Sequence, residues 1–361
     1  MKHKWLSLLC ALIAALLVVG CAAPAPPAPA PTPAPEAPAE PAEPSEDPAE
    51  VAPVAADDPI IISAEELGEI KERGDENLVL VGVINPTQAL IPFTDASNPI
   101  FGSYLVWIPD YLRDGSEEAL SPNVAIFRRP AHEMQDLLSR AGITPYSQIV
   151  VYHSDAAAQS GRVVWHLRAL GLNARFLDGG NAAWRAIGGR TGGSRRMSEQ
   201  DPQSDLTLPN TDFSNYDATI EQVIYAVQNP DEWVVIDVRA LEEFNGERVG
   251  ASAMGFGTGR ITNTVHLEWS DVIDPATDLI RPEEELRQMF DFIGDRRAIV
   301  FCQGGVRSGH TWMVLTMLGF DVLNYDGSWI EWSYAASEFS DFPSDVVLEL
   351  TELWTDNNGP I

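Results

Sequence analysis

The hydrophobic patterning predicts an α/β chain of two tandem domains, each a parallel sheet flanked by helices. Three observations carry that expectation. Apolar runs of strand length alternate with amphipathic stretches of helix length. The alternation occurs twice: Val79 to Ile84 parallels Val234 to Arg239, Ile149 to His153 parallels Ala298 to Cys302, and Leu177-Asp178-Gly179-Gly180 with Trp184 parallels Tyr325-Asp326-Gly327-Ser328 with Trp332, this last set at a single offset of 148 residues. Roughly 300 residues remain once a low-complexity N-terminal stretch is set aside, which suits two domains of ordinary size.

Residues 1 to 20 read as an export leader, with Lys2 and Lys4 ahead of an apolar core from Trp5 to Val19. That core is too short to span a bilayer by itself. Val18-Val19-Gly20-Cys21 resembles a lipoprotein cleavage and acylation site, so Cys21 is expected to carry lipid and hold an exported protein on a bacterial membrane, outside the cytoplasm. Residues 21 to 58 are nearly all Ala, Pro and Glu with no hydrophobic period; such a stretch buries no core and reads as an extended tether. The first domain is expected at 59 to 190, where Ser63 and Glu66 form a capping box for a helix over 65 to 73. Helices over 130 to 140 and 282 to 292 each open with Pro as first helical residue and precede a loop-bearing strand. The stretch from Gly188 to Asn210, rich in Gly, Ser, Arg, Asp and Pro, places a linker at 191 to 212 and the second domain at 213 to 361.

A net charge of −30 argues against nucleic acid or anionic lipid as partner of the folded part. Of three cysteines, Cys10 would leave with the leader and Cys21 would be acylated, so Cys302 remains as the lone free thiol and no internal disulfide can form. A free thiol in an oxidising compartment is a liability unless chemistry needs it.

Cys302 follows the apolar strand from Ala298 to Phe301 and precedes Gln303, Gly304, Gly305, Val306, Arg307 and Ser308; apolar residues at helical spacing run from Thr311 to Leu318. A thiol at a helix N-terminus, with unpaired amides and a nearby guanidinium, is favoured as thiolate. The glycine pair lets the loop curl. Four residues separate Cys302 from Arg307, one fewer than a phosphate-encircling cysteine loop requires, so the ring suits a single sulfur atom on the thiolate. In the first half the matching position falls on His153 or Ser154, without thiol, glycine pair or arginine inside the ring. Its His-Ser-Asp run is no triad, because sequence neighbours rarely point at one another. Asp237 and Arg239 close a strand and flank the cleft, as an ion pair bracing the loop or as substrate contacts. Arg248 lies in a glycine-flanked loop from Gly246 to Gly259, and Arg260 follows it.

Cys302 to Ser308, His310-Thr311-Trp312 and Tyr325-Asp326-Gly327-Ser328-Trp329-Ile330-Glu331-Trp332 together resemble a tandem-domain rhodanese of the thiosulfate sulfurtransferase type. The match is strongest over about the last hundred residues and weakens toward the N-terminus. The resemblance implies an inactive first domain that walls the cleft of the second, and a Cys302 nucleophile with no metal or cofactor. The implied partners are thiosulfate as donor and cyanide or a thiol as acceptor. An arginine near the 246 to 259 loop would hold the anionic donor, a role left to Arg248, Arg260 or Arg239. The chain departs from the pattern at Glu243, where some relatives carry arginine, and at Arg260, which stands for a histidine. His266 is expected to be packed, and Trp329, Trp332, Tyr334, Phe339 and Phe342 to be core or cleft wall. The rival readings are a 3-mercaptopyruvate sulfurtransferase and a non-catalytic module that binds or senses a sulfur compound.

Overall fold

Strong apolar runs become internal strands here, and the polar segments between them become the helices and loops that cover those strands. The structure is a computed structural model that describes residues 59–84, 98–114, 125–154, 157–248, 257–339, 342–343 and 347–351. The leader, Cys10, the lipidation candidate Cys21 and the tether lie outside the described residues, as do residues 249–256 of the glycine-flanked loop.

The first half runs β1 (Ile61–Ile62), α1 (Ala64–Arg73), β2 (Leu78–Val83), β3 (Tyr104–Val106), α2 (Ile108–Tyr111), β4 (Leu112–Asp114), β5 (Ala125–Arg128), α3 (Ala131–Ser139), β6 (Gln148–His153), α4 (Ala157–Ala169), β7 (Asn173–Leu177), α5 (Gly180–Ala186) and β8 (Arg195–Arg196). Its six-stranded sheet has the order β1-β7-β6-β2-β3-β8, parallel throughout. β6 is buried from Ile149 to His153, as expected of a strand covered on both faces. α1 begins where Ser63 Oγ accepts the Glu66 N–H at 3.1 Å and ends at the left-handed Gly74.

The second half runs α6 (Ile220–Gln228), β9 (Trp233–Asp237), α7 (Leu241–Phe244), β10 (Thr258–Ile261), β11 (Thr264–His266), β12 (Ile273–Asp274), β13 (Leu279–Ile280), α8 (Glu283–Met289), β14 (Arg297–Phe301), α9 (Val306–Met317), β15 (Val322–Asn324), α10 (Ser328–Glu338) and β16 (Val347–Thr351). Its four-stranded parallel sheet has the order β11-β9-β14-β15, and a parallel bridge from Asp217 to Asn324 occupies the place that β1 takes beside β7. The repeat in sequence is therefore a repeat of sheet order: β3-β2-β6-β7-β1 answers β11-β9-β14-β15-Asp217. The α/β class and parallel sheets flanked by helices are as the patterning predicts. The antiparallel pairing of β16 with β10 is an addition that no pattern announced.

Three local expectations change. Pro130 and Pro282 are N-caps rather than first helical residues. α9 starts at Val306, not near Thr311, which puts Arg307 and Ser308 in its first turn. The segment expected as a linker is woven into the first half: β8 pairs with β3, and Met197, Leu206 and Leu208 are buried. Apolar side chains spaced along a polar stretch outweigh its turn-like composition, because each gains roughly 1.5–3 kcal/mol from burial.

Both sheets belong to one compact unit, and one apolar core holds Val81, Val151 and Val164 together with Val234, Val300 and Val314. The seam between the halves is α4 against α9, the helices that follow the two equivalent strands. Glycine sets their approach: a Cβ at Gly161 would lie 2.5 Å from His310 Cα, and one at Gly309 would lie 2.8 Å from Arg162 Cα. Any larger residue at either position forces the helices apart.

Candidate active site

β14 lies inside its sheet, paired with β9 on one side and β15 on the other, and it delivers Cys302 at its carboxyl end. Open parallel sheets bind ligands at that edge. The chain then turns through Gln303 to Gly305 and enters α9. Of the glycine pair, Gly305 takes the left-handed conformation, with φ 72°, and serves as N-cap. It is glycine for a second reason: a Cβ there would strike Arg162 Nη1 and come within 2.7 Å of Asp326 Oδ1.

The start of α10 grips this loop. Ser328 Oγ accepts the N–H groups of Cys302 at 3.2 Å and Gly305 at 2.8 Å, and donates to the Tyr325 carbonyl at 2.7 Å. The carbonyls of Cys302 and Gln303 accept the N–H groups of Trp329 and Ile330, each at 3.0 Å. Ser328 itself sits at φ 51°, a backbone strain of order 1–3 kcal/mol that its three hydrogen bonds offset. The amides of Cys302 and Gly305 are thus spent on Ser328 and do not face the sulfur. Those of Gly304 and Ser308 do. The expected cradle of loop amides is smaller than the sequence suggests, because a serine hydroxyl competes for part of it.

Cys302 is 1% exposed. Burial alone pushes its thiol up; the Arg307 charge, the Ser308 amide and hydroxyl and the Gly304 amide outweigh that, and the net shift is downward, toward thiolate. The Ser308 hydroxyl lies 3.6 Å from the sulfur. Arg307 forms a two-pronged pair with Glu243, at 2.6 and 2.9 Å. Burial pushes the Glu243 carboxyl up, but Arg307 more than compensates and holds it below its ordinary range. The glutamate that departs from the family pattern is therefore the anchor of the loop arginine, which the sequence singled out only as a missing cation. Glu243 Oε2 also accepts the Ala240 N–H at 3.2 Å, fixing α7 beside the loop.

The other candidates separate cleanly. Asp237 and Arg239 form a buried pair, Nε to Oδ1 at 3.0 Å and Nη2 to Oδ2 at 2.6 Å, and Arg239 Nη2 also donates to the Gly259 carbonyl at 2.8 Å. Arg239 is consequently a brace for β10, its Nε and Nη2 donors held by Asp237 and Gly259. His266 is packed, its Nε2 2.8 Å from the Arg239 carbonyl and its ring 4.8 Å from that of Phe244. Arg260 lies over Phe244, 4.8 Å from its centroid. Arg248 is about half exposed and only loosely held, 3.7 Å from Glu242 and 3.9 Å from Glu243. Trp329 and Trp332 are buried walls, while Phe339 is largely exposed.

In the first half, β6 ends at His153, whose ring stacks on Phe176 at 5.6 Å. Burial lowers its pKa to about 4 and keeps it neutral near pH 7. Asp155 and Ala156 of that loop lie outside the described residues.

Comparison with known proteins accords with this geometry. A family model described as "Rhodanese-like domain" matches residues 221–335, the span from α6 to the body of α10. SseA of Mycobacterium bovis is 32% identical over 214 residues, covering 56% of this chain and 69% of that protein. The chain belongs to the rhodanese family of sulfurtransferases. A second rhodanese relative, the thiosulfate sulfurtransferase of Corynebacterium glutamicum, is 30% identical over 205 residues, covering 55% of this chain and 67% of its own length. Among solved structures, Tum1 of Saccharomyces cerevisiae superposes with a TM-score of 0.64 at 20% identity over 80% of this chain and 97% of that one. At that identity the likeness concerns the fold, and it extends over both halves.

Proposed function

We propose that this rhodanese transfers the sulfane sulfur of thiosulfate to cyanide or a thiol through a persulfide on Cys302. The observation that carries the proposal is a buried thiol at a strand end, the one cysteine among the described residues, lowered toward thiolate by Arg307 and by the Gly304 and Ser308 amides. In the first step the Cys302 thiolate attacks the outer sulfur of thiosulfate, the sulfur–sulfur bond of the donor breaks, and sulfite departs with the bonding electrons. The terminal persulfide sulfur carries the negative charge, and the same amides and the Ser308 hydroxyl stabilise it. In the second step cyanide attacks that sulfur, thiocyanate leaves, and the Cys302 thiolate is restored.

Arg248 is assigned to hold the donor's sulfonate end. It is about half exposed and, among the described residues, its ion pairs are the long ones to Glu242 and Glu243, close to the Arg307–Glu243 pair, whereas Arg239 braces Asp237 and Gly259 and Arg260 lies on an aromatic ring. Export and anchoring through Cys21 complete the proposal: the basic-apolar leader and the small residues before Cys21 support them, and an alanine-proline tether would hold the catalytic part off the membrane.

The test is thiosulfate:cyanide turnover by the chain, with intact mass measured after thiosulfate alone. Turnover together with a gain of one sulfur atom is expected, both lost in Cys302→Ser. A sulfur adduct without turnover would favour a carrier or sensor. Turnover with 3-mercaptopyruvate but not thiosulfate would reassign the donor.

A further inference from the structure

The half without a thiol contributes a side chain to the loop that has one. Arg162, in α4, is fully buried, and its guanidinium forms an ion pair with Asp326 of the second half. It sits against Gly305 at the N-cap of α9, where a Cβ would collide with Nη1. Asp326 in turn accepts the Arg128 N–H at 2.9 Å, and its own N–H donates to Asp217 at 3.1 Å. Two residues on stands Ser328, which holds the Cys302 and Gly305 amides. Arg162 therefore fixes the two segments between which the loop is stretched: the Gly305 turn by contact and the Asp326-to-Ser328 corner by charge.

Electrostatics alone do not explain this arrangement. Burying an ion pair gains little stability over an apolar pair of the same shape, so a pair placed under a catalytic turn needs a reason other than stability. Geometry supplies one. The Gly304 and Ser308 amides stabilise the thiolate only while the turn between them holds its shape, and a misaligned donor weakens steeply. Gly305 is the left-handed first residue of that turn, with Arg162 directly behind it.

We infer that Arg162 is a positioning residue for the sulfur chemistry: through Gly305 and Asp326 it keeps the loop amides aimed at Cys302. The first half is on this view part of the catalytic apparatus of the second, beyond walling its cleft. The inference depends on the sulfurtransferase reading only for the use to which the thiolate is put, so its test reads the thiol directly and needs no sulfur donor.

The experiment follows alkylation of Cys302 by iodoacetamide against pH in the full chain, with folding monitored by circular dichroism. In Arg162→Met the rate at pH 7 should fall about fivefold or more, while the high-pH plateau, where every thiol is ionised, stays within about twofold. Arg162→Lys keeps the cation but not the flat fork, and should lie between the two. A pure packing role would lower the melting temperature and leave the pH profile where it was; a folded Arg162→Met whose profile superposes on the parent overturns the inference. Should Arg162→Met not fold, Arg162→Lys decides on the same basis, a lowered rate at pH 7 supporting the assignment and a superposed profile refuting it. Absence of thiosulfate turnover in the parent would sink the proposed donor and leave this result intact.

Discussion

At the end of β14 stands Cys302, then a left-handed Gly305 and, in the first turn of α9, Arg307; at the end of β6 stands His153, and α4 opens at Ala157 with Arg162 in its second turn. The two units occupy matching places in sheets of matching order. They differ in where an arginine stands. Arg307, in the first turn of α9, pairs with Glu243 inside its own half and lowers the thiol beside it, whereas the first-half loop has no arginine and Arg162, further along α4 at the position matching His310, pairs with Asp326 across the seam. The residue at the strand end follows suit: Cys302 is shifted toward its anion, and burial keeps His153 uncharged. The scaffold is common to both halves; the second adds a guanidinium on the thiol's side of the turn, and that charge contributes to the downward shift of Cys302.

The sharpest way to break that comparison is to move the thiol. In the double variant Cys302→Ser/His153→Cys the new thiol would have a strand end and a helix N-terminus but no adjacent arginine, and burial would hold it protonated. Sulfur transfer should stay at least about a thousandfold below the parent. Turnover within about tenfold of the parent would show that the β-strand edge alone activates the sulfur.

A smaller effect is expected at Glu243, which draws the Arg307 charge away from the sulfur. Glu243→Gln keeps the shape and one acceptor but removes the opposing charge, so Cys302 should alkylate about threefold faster near neutral pH. Turnover should meanwhile fall about tenfold, because Arg307 loses part of its anchorage and the more stable thiolate is the weaker nucleophile. Slower alkylation would mean that Glu243 helps the thiolate by holding Arg307 close more than it hinders by its charge.

The sheet-forming runs and the cysteine loop were legible in sequence because their signals are local. Ile149 to His153 and Ala298 to Phe301 are continuous apolar runs, and the Cys302 loop carries its glycine, arginine and serine within a few positions. What escaped depends on distance in the chain. Ser328 lies 26 residues from Cys302 and was visible only as part of an aromatic motif, and Glu243 lies 64 residues from Arg307. Nothing near Arg162 in sequence indicates a partner at Asp326. The one available hint was glycine: Gly161 and Gly309, inside otherwise good helices, cost helix propensity and so mark a close approach. The woven segment after Gly188 was misread for the opposite reason, since its turn-rich composition is local while the burial of Met197 and Leu208 is not.

The smallest effect concerns the seam itself, where His153 and His310 interact in a buried setting among Phe176 and Trp269. Burial lowers His153 to about 4 and His310 to about 3, from an ordinary value of 6.5. The unfolded chain takes up these protons near pH 6.5 and the folded one does not, so the contribution of the pair is complete above pH 6.5 and is lost as pH falls toward 4 and 3. Asp217 and Glu331 act in the other direction: burial raises both, Glu331 to about 7, with the Asp326 charge adding to the rise at Asp217, so their contribution is complete at low pH and is lost as pH rises through the neutral range. Seam stability should therefore peak between the two sets. In His310→Gln one member of the acid-sensitive pair is gone, and the loss of unfolding free energy between pH 6.5 and 4.5 should shrink by about 1–3 kcal/mol relative to the parent. Denaturant titrations at the two pH values measure it, and equal losses in parent and variant would mean that the imidazole pair plays no part in holding the thiol-free half against the catalytic one.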